Sequence, residues 1–250
     1  MAAISRVGRL AVTLSRCWRR SWIVILLAPL LAGAGGERVD RLVTDFDLII
    51  FNTEFGTPMD AKIHKWITPV RIFLDARAGP LDLERKELEE HVALLRRLTG
   101  LKIEFVPKAS DGNLMFVFDT QDRLISSVNK YLAKPIGSWK DLQGSLCFGM
   151  FGVQGALQIN FAVIGIPIDE VMSRGKLKDC VIEETTQVLG LPNDSDKVFP
   201  SVFNDHSPQV TLTDDDELLV RLLYSPRLEV GMPRAEALKI VRQILVEGGP

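Results

Sequence analysis

The chain has 250 residues, 46% of them hydrophobic and 25% charged, with a formal net charge of −2. That length and apolar share suffice for one domain with a sizeable core, or for two small ones. Five of the 30 basic residues and none of the 32 acidic ones lie within residues 1–34, so the remainder carries a net charge of −7. It lacks the basic face that a nucleic-acid partner would need.

Residues 1–20 contain Arg6, Arg9, Arg16, Arg19 and Arg20 and no acidic side chain, and the sixteen residues from Ser21 to Gly36 are uncharged. An apolar run from Ile23 to Leu31 leads into small residues from Ala32. Basic, then apolar, then small is the order of a secretory signal peptide, and it predicts cleavage after Ala32 or Ala34. A membrane anchor is the alternative, but the stretch falls short of the ~18–20 apolar residues that span a bilayer, and it contains Pro29. Arg19 and Arg20 loosely resemble a twin-arginine signal, so both the general secretory and the twin-arginine routes stay open. Ala34 stands where a lipoprotein signal needs its acylated cysteine. The expectation is a periplasmic or secreted protein with no stable membrane insertion after cleavage. Cys17 would leave with the signal, and Cys147 and Cys180 remain as an even pair. In an oxidising compartment they are a disulfide candidate; the alternative is two buried reduced cysteines acting as small hydrophobes.

In chain order, Phe46 to Phe51 suits a short helix ending near Gly56. Residues 66–75 read as a strand with Val70, Ile72 and Leu74 on one face and Pro69 at its start. Leu88, Val92, Leu95 and Thr99 recur at helical spacing before Gly100, a natural cap. Residues 102–106 alternate as a strand, Asp111-Gly112 signals a turn, and residues 114–118 form a more buried strand. A helix over residues 120–132 turns Leu124, Val128 and Tyr131 inward. Residues 146–151 and 157–164 suggest two antiparallel strands, followed by a helix from about Arg174 to Leu189 that stops at Gly190. Two further helices start near Thr213, which forms a capping box with Asp216 and Glu217, and near Pro233. The pattern predicts an α+β single domain with a mixed, mostly antiparallel sheet, a central motif helix and a helical C-terminal part.

The chemistry-bearing stretch is Cys180 to Asp194. Glu183 and Gln187 stand four apart and so share a helical face; Glu184 adjoins them, Gly190 permits a sharp turn, and Asn193 and Asp194 lie where the returning chain can meet that face. This layout resembles the zinc-peptidase motif of two ligands one turn apart, a neighbouring glutamate as general base, a glycine turn and a third ligand. Glu184 matches the glutamate and Gly190 the glycine, while Glu183, Gln187 and Asn193 replace the three histidines. Zinc favours imidazole or thiolate; amide carbonyls are hard ligands suited to calcium or magnesium. Residues 200–205 are similar to the turn beneath the metal in matrixin-like zinc peptidases, with Phe203 in place of methionine, and Leu212 to Tyr224 is similar to their final helix.

Glu183-Glu184, Gln187, Leu189 to Asp194, Ser201 to Asp205 and Leu222 to Met232 also make the chain resemble a proteobacterial family of secreted or lipoprotein-like proteins, domain-of-unknown-function family 2927, over about residues 60–246. In that family the helix commonly carries the Glu-Glu-x-x-Gln pattern, so the resemblance implies a zincin-like scaffold and supplies no activity. The layout expected is therefore a signal peptide (1–34), an N-terminal extension (35–60) and a zincin-like domain (61–250).

Three histidines exist. His91 lies near the apolar face of a helix and reads as packing or surface, His64 between Lys62 and Lys65 reads as solvated, and His206 is close enough to the motif to reach it. The acidic run Asp214 to Glu217 suits a helix N-terminus without any bound cation. The function expected is a peptide- or protein-binding, or purely structural, envelope module that has lost zinc peptidase chemistry and uses no cofactor. The candidate peptide-docking edge is residues 157–164. The alternative is a metal-dependent peptidase, holding zinc or another divalent cation through Glu183, Gln187, Asn193 or Asp194 with Glu184 as general base and help from His206.

Overall fold

The computed structural model describes residues 28–52, 61–79, 81–142, 144–155 and 157–250. The chain divides into two units, residues 1–37 and 38–250. The basic part of the expected export signal and its apolar run up to Leu27 lie outside the described residues, as does Gly56. Helix α1 (Ala28–Ile50) runs unbroken through Ala32 and Ala34, and places Leu42, Phe46, Ile49 and Ile50 in the core. Part of the segment expected as an extension thus packs within the second unit.

Among the described residues five strands form one sheet. They are β1 (Val70–Ala76), β2 (Ile103–Val106), β3 (Leu114–Asp119), β4 (Phe148–Gln154) and β5 (Gln158–Pro167), in the order β2-β1-β3-β5-β4. β1 pairs in parallel with β2 and β3, β3 pairs in parallel with β5, and only β4 and β5 run antiparallel. The domain is α+β as expected, but its sheet is mostly parallel rather than mostly antiparallel. Helix α2 (Leu81–Thr99) carries the chain from β1 back to the start of β2, whereas a tight turn at Gly155 joins β4 to β5. Connections of these two lengths produce those two directions. β2 and β3 flank β1 instead of pairing with each other, so Asp111-Gly112 closes no hairpin. The edge strand beside β5 is β4, not the segment 157–164, which lies in the sheet interior.

Side chains alternate across the sheet and build two cores. Val70, Ile72, Phe116, Ala162 and Ile164 face the larger one, closed by α1, α2, α5 (Leu177–Gln187), α6 (Asp214–Tyr224) and α7 (Arg234–Val246). Met115, Val117, Phe148 and Val163 face the smaller, covered by Leu124 and Val128 of α3 (Gln121–Val128). Phe148 lies opposite Gly165, where an added Cβ would come within 2.4 Å of its ring. The turn α4 (Ile168–Ser173), which the apolar periodicity does not announce, links β5 to α5. The Thr213 side chain and Asp216 form the expected capping box on α6.

Candidate functional site

Cys147 is disulfide-bonded to Cys180, so the residue just before β4 is tied to α5. On the same side of the helix, Glu184 is buried against β4: a Cβ at Gly149 would lie 2.9 Å from Glu184 Oε2. The glycine therefore makes room for this carboxylate at the strand.

The C-terminal end of α5 leaves carbonyls that the helix cannot satisfy. Trp66 Nε1 donates to Val188 O at 2.9 Å, and the Tyr224 hydroxyl donates to Leu189 O at 2.8 Å. Gly190 then turns the chain at φ +111°, a left-handed value that favours glycine. A Cβ there would also meet His64 O at 2.2 Å. Next to Trp66, the buried Lys65 ammonium donates to Leu223 O, Ser225 O and Leu228 O at 3.0, 3.3 and 2.5 Å, and burial lowers its pKa to about 8. Residues 64–66 thus fasten the turn after α5 to the end of α6. His64 is buried, with Nδ1 2.8 Å from Leu157 O, rather than solvated, because this junction encloses it.

The Gly190 turn brings Asp194 back over the face that carries Glu183 and Gln187. Gln187 Nε2 donates to Asp194 Oδ1 at 2.7 Å. Oxygens of Glu183, Asp194 and Asp205 all lie within 4.8 Å of one another. Burial, then the charges of Asp194 and Glu184, push the Glu183 carboxyl well above the usual range. Burial, with Asp205 adding repulsion, pushes Asp194 up to about 6, although its bonds to Glu183 and Gln187 pull the other way. Like charges this close share a proton more readily than they both ionise, and both carboxyls are held above their usual range. Asn193, which occupies the third histidine position, instead donates through Nδ2 to Leu48 O in α1 at 2.9 Å.

Asp205 is the member that the motif does not contain. It follows a turn pinned by Asp216, whose carboxylate accepts from the Ser201 hydroxyl at 2.6 Å and from Val202 N at 3.2 Å, with Phe203 fully buried beneath. The capping-box acid of α6 thereby also holds the turn that delivers Asp205. His206 lies one residue further on, exposed, with Nε2 3.7 Å from Asp196 Oδ1 rather than at the carboxyl cluster. His91 is buried in α2, its Nε2 2.9 Å from the Thr186 hydroxyl behind α5, and burial lowers its pKa to about 4. It is a packing residue.

A cleft of about 240 Å³ opens over this face, lined by Glu183, Asp205 and Asn204 among polar groups and by Leu146, Ile182 and Val202 among apolar ones. Glu184 is not part of its wall. Three carboxylates offer hard oxygen ligands of the kind that calcium or magnesium prefers, and no imidazole or thiolate among the described residues joins them. Without a cation, the arrangement is a hydrogen-bonded acid and carboxylate at the foot of a cleft with mixed walls.

Residues 40–243 match the family model described as "Protein of unknown function (DUF2927)". The chain belongs to this family. Among curated proteins no match is found. The DUF2927 match covers α1 from Asp40 onward, the sheet and all of α6, so it includes every residue of the carboxyl cluster. Gly190, Ser201, Phe203 and Tyr224, which carried the sequence resemblance, place the carboxylates without being among them.

Proposed function

We propose that this chain is an exported protein with a zincin-like scaffold that has lost zinc peptidase chemistry and binds an extended peptide, or an envelope protein through such a segment. The observation that carries this reading is the fate of the three histidine positions. Glu183 and Gln187 both engage Asp194, Asn193 is tied to Leu48, and no histidine among the described residues reaches them. The position of Glu184 against Gly149, outside the cleft wall, supports the loss of its role as base. Peptide binding is supported by β4, an edge strand whose outer side can accept an added strand, and by Leu146 just before it, which lines the cleft. The Cys147–Cys180 bridge suits an oxidising compartment, and no helix among the described residues is long and apolar enough to cross a membrane.

A second reading rests on the three clustered carboxylates: a hard divalent cation held by Glu183, Asp194 and Asp205, and catalysis dependent on it. Elemental analysis of the purified protein, with binding and cleavage of a broad peptide library, separates the two. Peptide retention without stoichiometric metal, and equal background cleavage by wild type and Glu184→Ala, supports the binding module. Stoichiometric zinc that is lost in Glu183→Ala overturns it. Retention of neither metal nor peptide leaves a purely structural role. N-terminal sequencing of the exported protein tests cleavage after Ala32 or Ala34.

A further inference from the structure

β1 and β3 run side by side in parallel, and the chain leaves them on opposite faces of the sheet. After β1 it crosses through α2, whose Leu88, Val92 and Leu95 join the larger core, and lands on β2. After β3 it enters α3, whose Leu124 and Val128 join the smaller core. Between β1 and β3 the strand order therefore reverses. In open parallel sheets ligands bind in the crevice outside the carboxyl ends of the strands at such a reversal, because the diverging helices leave a gap there.

Here that gap is an open cleft of about 410 Å³ walled by Arg77, Arg123, Ser126 and Lys130, with Asp119, Asp122 and Ser127 beside them. Arg77 follows β1 directly, and its N–H donates to Phe118 O of β3 at 2.8 Å, which places it level with Asp119. The carboxylates at this end are occupied by internal donors. Asp119, buried, accepts from the Ser127 hydroxyl at 2.8 Å, from Arg123 Nε at 2.9 Å and from Thr120 N at 2.8 Å. Asp75 Oδ2 accepts from Arg77 Nε and Nη2 at 2.8 and 2.7 Å and from the Tyr131 hydroxyl at 2.7 Å. Asp122 accepts from the Thr120 hydroxyl.

The cations are only partly spent. Arg77 and Arg123 each use Nε and Nη2 on their aspartates, and the Nη1 group of each has no partner among the described residues. Lys130 forms no ion pair, and the Ser126 hydroxyl no hydrogen bond, among the described residues. Two oriented guanidinium groups, an ammonium and a hydroxyl thus face one open cleft, beside the aspartates that orient the guanidiniums.

We propose that this switch-point cleft binds a doubly charged oxyanion of the phosphate-ester class. A phosphate monoester brings roughly −1.5 to −2 charges and three acceptor oxygens, which can accept from the remaining guanidinium N–H groups, the ammonium and the hydroxyl. A carboxylate brings a single charge and is satisfied by one guanidinium. The site lies on the α3 side of the sheet and is independent of the Glu183 cleft on α5.

The test uses the full chain with glycerol 3-phosphate as soluble probe, phosphatidic-acid vesicles as the lipid-headgroup probe, and malonate as a dicarboxylate of equal charge. Lys130→Ala and Ser126→Ala remove groups with no partner among the described residues, so an unchanged unfolding midpoint shows that the fold is intact. Saturable binding of glycerol 3-phosphate by calorimetry is expected, weakened about tenfold in Lys130→Ala and further in the double variant, with malonate at least about tenfold weaker than the phosphate. Lys130-dependent binding of vesicles alone assigns the phosphate to a lipid headgroup and supports the same chemistry. Three results would each overturn the proposal: no saturable binding of either phosphate probe up to roughly 10 mM, binding indifferent to both substitutions, or malonate bound as tightly as phosphate.

Discussion

Replacing Glu183 by glutamine removes one charge from a place where three carboxylates lie within 4.8 Å of one another. Asp194 is pushed from 3.8 up to about 6 in the fold, and each pH unit corresponds to about 1.36 kcal/mol. Ionising it therefore costs the folded state up to about 3 kcal/mol, and water at this half-buried site reduces that figure. The sign follows from the direction of the shift. A carboxyl whose folded pKa is raised contributes stability below its unfolded pKa and loses it as pH rises through the folded value, here between about 3.8 and 6. The Glu183 carboxyl is raised as well, so its loss begins above 4.5 and extends higher. Glutamine retains a donor for Asp194 and cannot ionise. Removing the repulsion between two like charges within 4.8 Å is worth about 1–3 kcal/mol at an effective dielectric of roughly 20–80. Glu183→Gln should thus be more stable than wild type by about that much at pH 8, roughly 3–10 °C in unfolding midpoint for a domain of this size, and should show no gain at pH 4, where Glu183 is already neutral. Urea and thermal unfolding of both proteins at pH 4, 6 and 8, with chelator present, measures this. The variant-minus-wild-type difference cancels the contribution of His91. A gain that is equal at every pH, or a loss at pH 8, would refute the shared-proton account of the pair.

Three other outcomes follow from the geometry. His91, whose folded value is about 4 against an ordinary 6.5, should make stability rise with pH through that window by up to about 3 kcal/mol, since only the unfolded chain binds the proton there; His91→Leu should flatten that part of the pH profile, and an unchanged slope counts against the assignment. The Cys147–Cys180 bridge spans 33 residues, a loop worth about 3.7 kcal/mol by chain entropy; Cys147→Ser with Cys180→Ser should lower urea-derived stability by about 2–4 kcal/mol, and a change below about 1 kcal/mol contradicts it. Gly190→Ala forces a Cβ to within 2.2 Å of His64 O at a left-handed φ. It should cost at least about 3 kcal/mol or abolish soluble expression, and a well-folded variant would show that the turn can relax.

Much of the local structure is legible from residue spacing. Leu88, Val92 and Leu95 mark α2, Gly100 its cap, and Thr213 and Asp216 the start of α6, because each depends on neighbours within a few residues; Cys147 with Cys180 is the pair expected once Cys17 is set aside with the export signal. Glu183 and Gln187 are legible as one helical face for the same reason. The direction of the sheet was not, since a buried strand reads alike in parallel and antiparallel company. His64 looked solvated between two lysines, yet Lys65 is itself buried by three carbonyls that come from more than 150 residues away.

By itself, then, the sequence determined that histidines are missing from a helix–glycine–turn layout and that carboxyl and amide groups stand in their place. Only the tertiary structure decided what those groups do. Asn193 and Asp194 are adjacent in the chain, but one is drawn to Leu48 of α1 and the other to Gln187 of α5. Asp205 joins the pair from a turn held by Asp216, eleven residues beyond it. Spacing along a helix brings side chains to a common face. Which distant carbonyl, hydroxyl or carboxylate then meets them depends on how the layers pack, and that is set by the burial of the whole core rather than by any local run of residues.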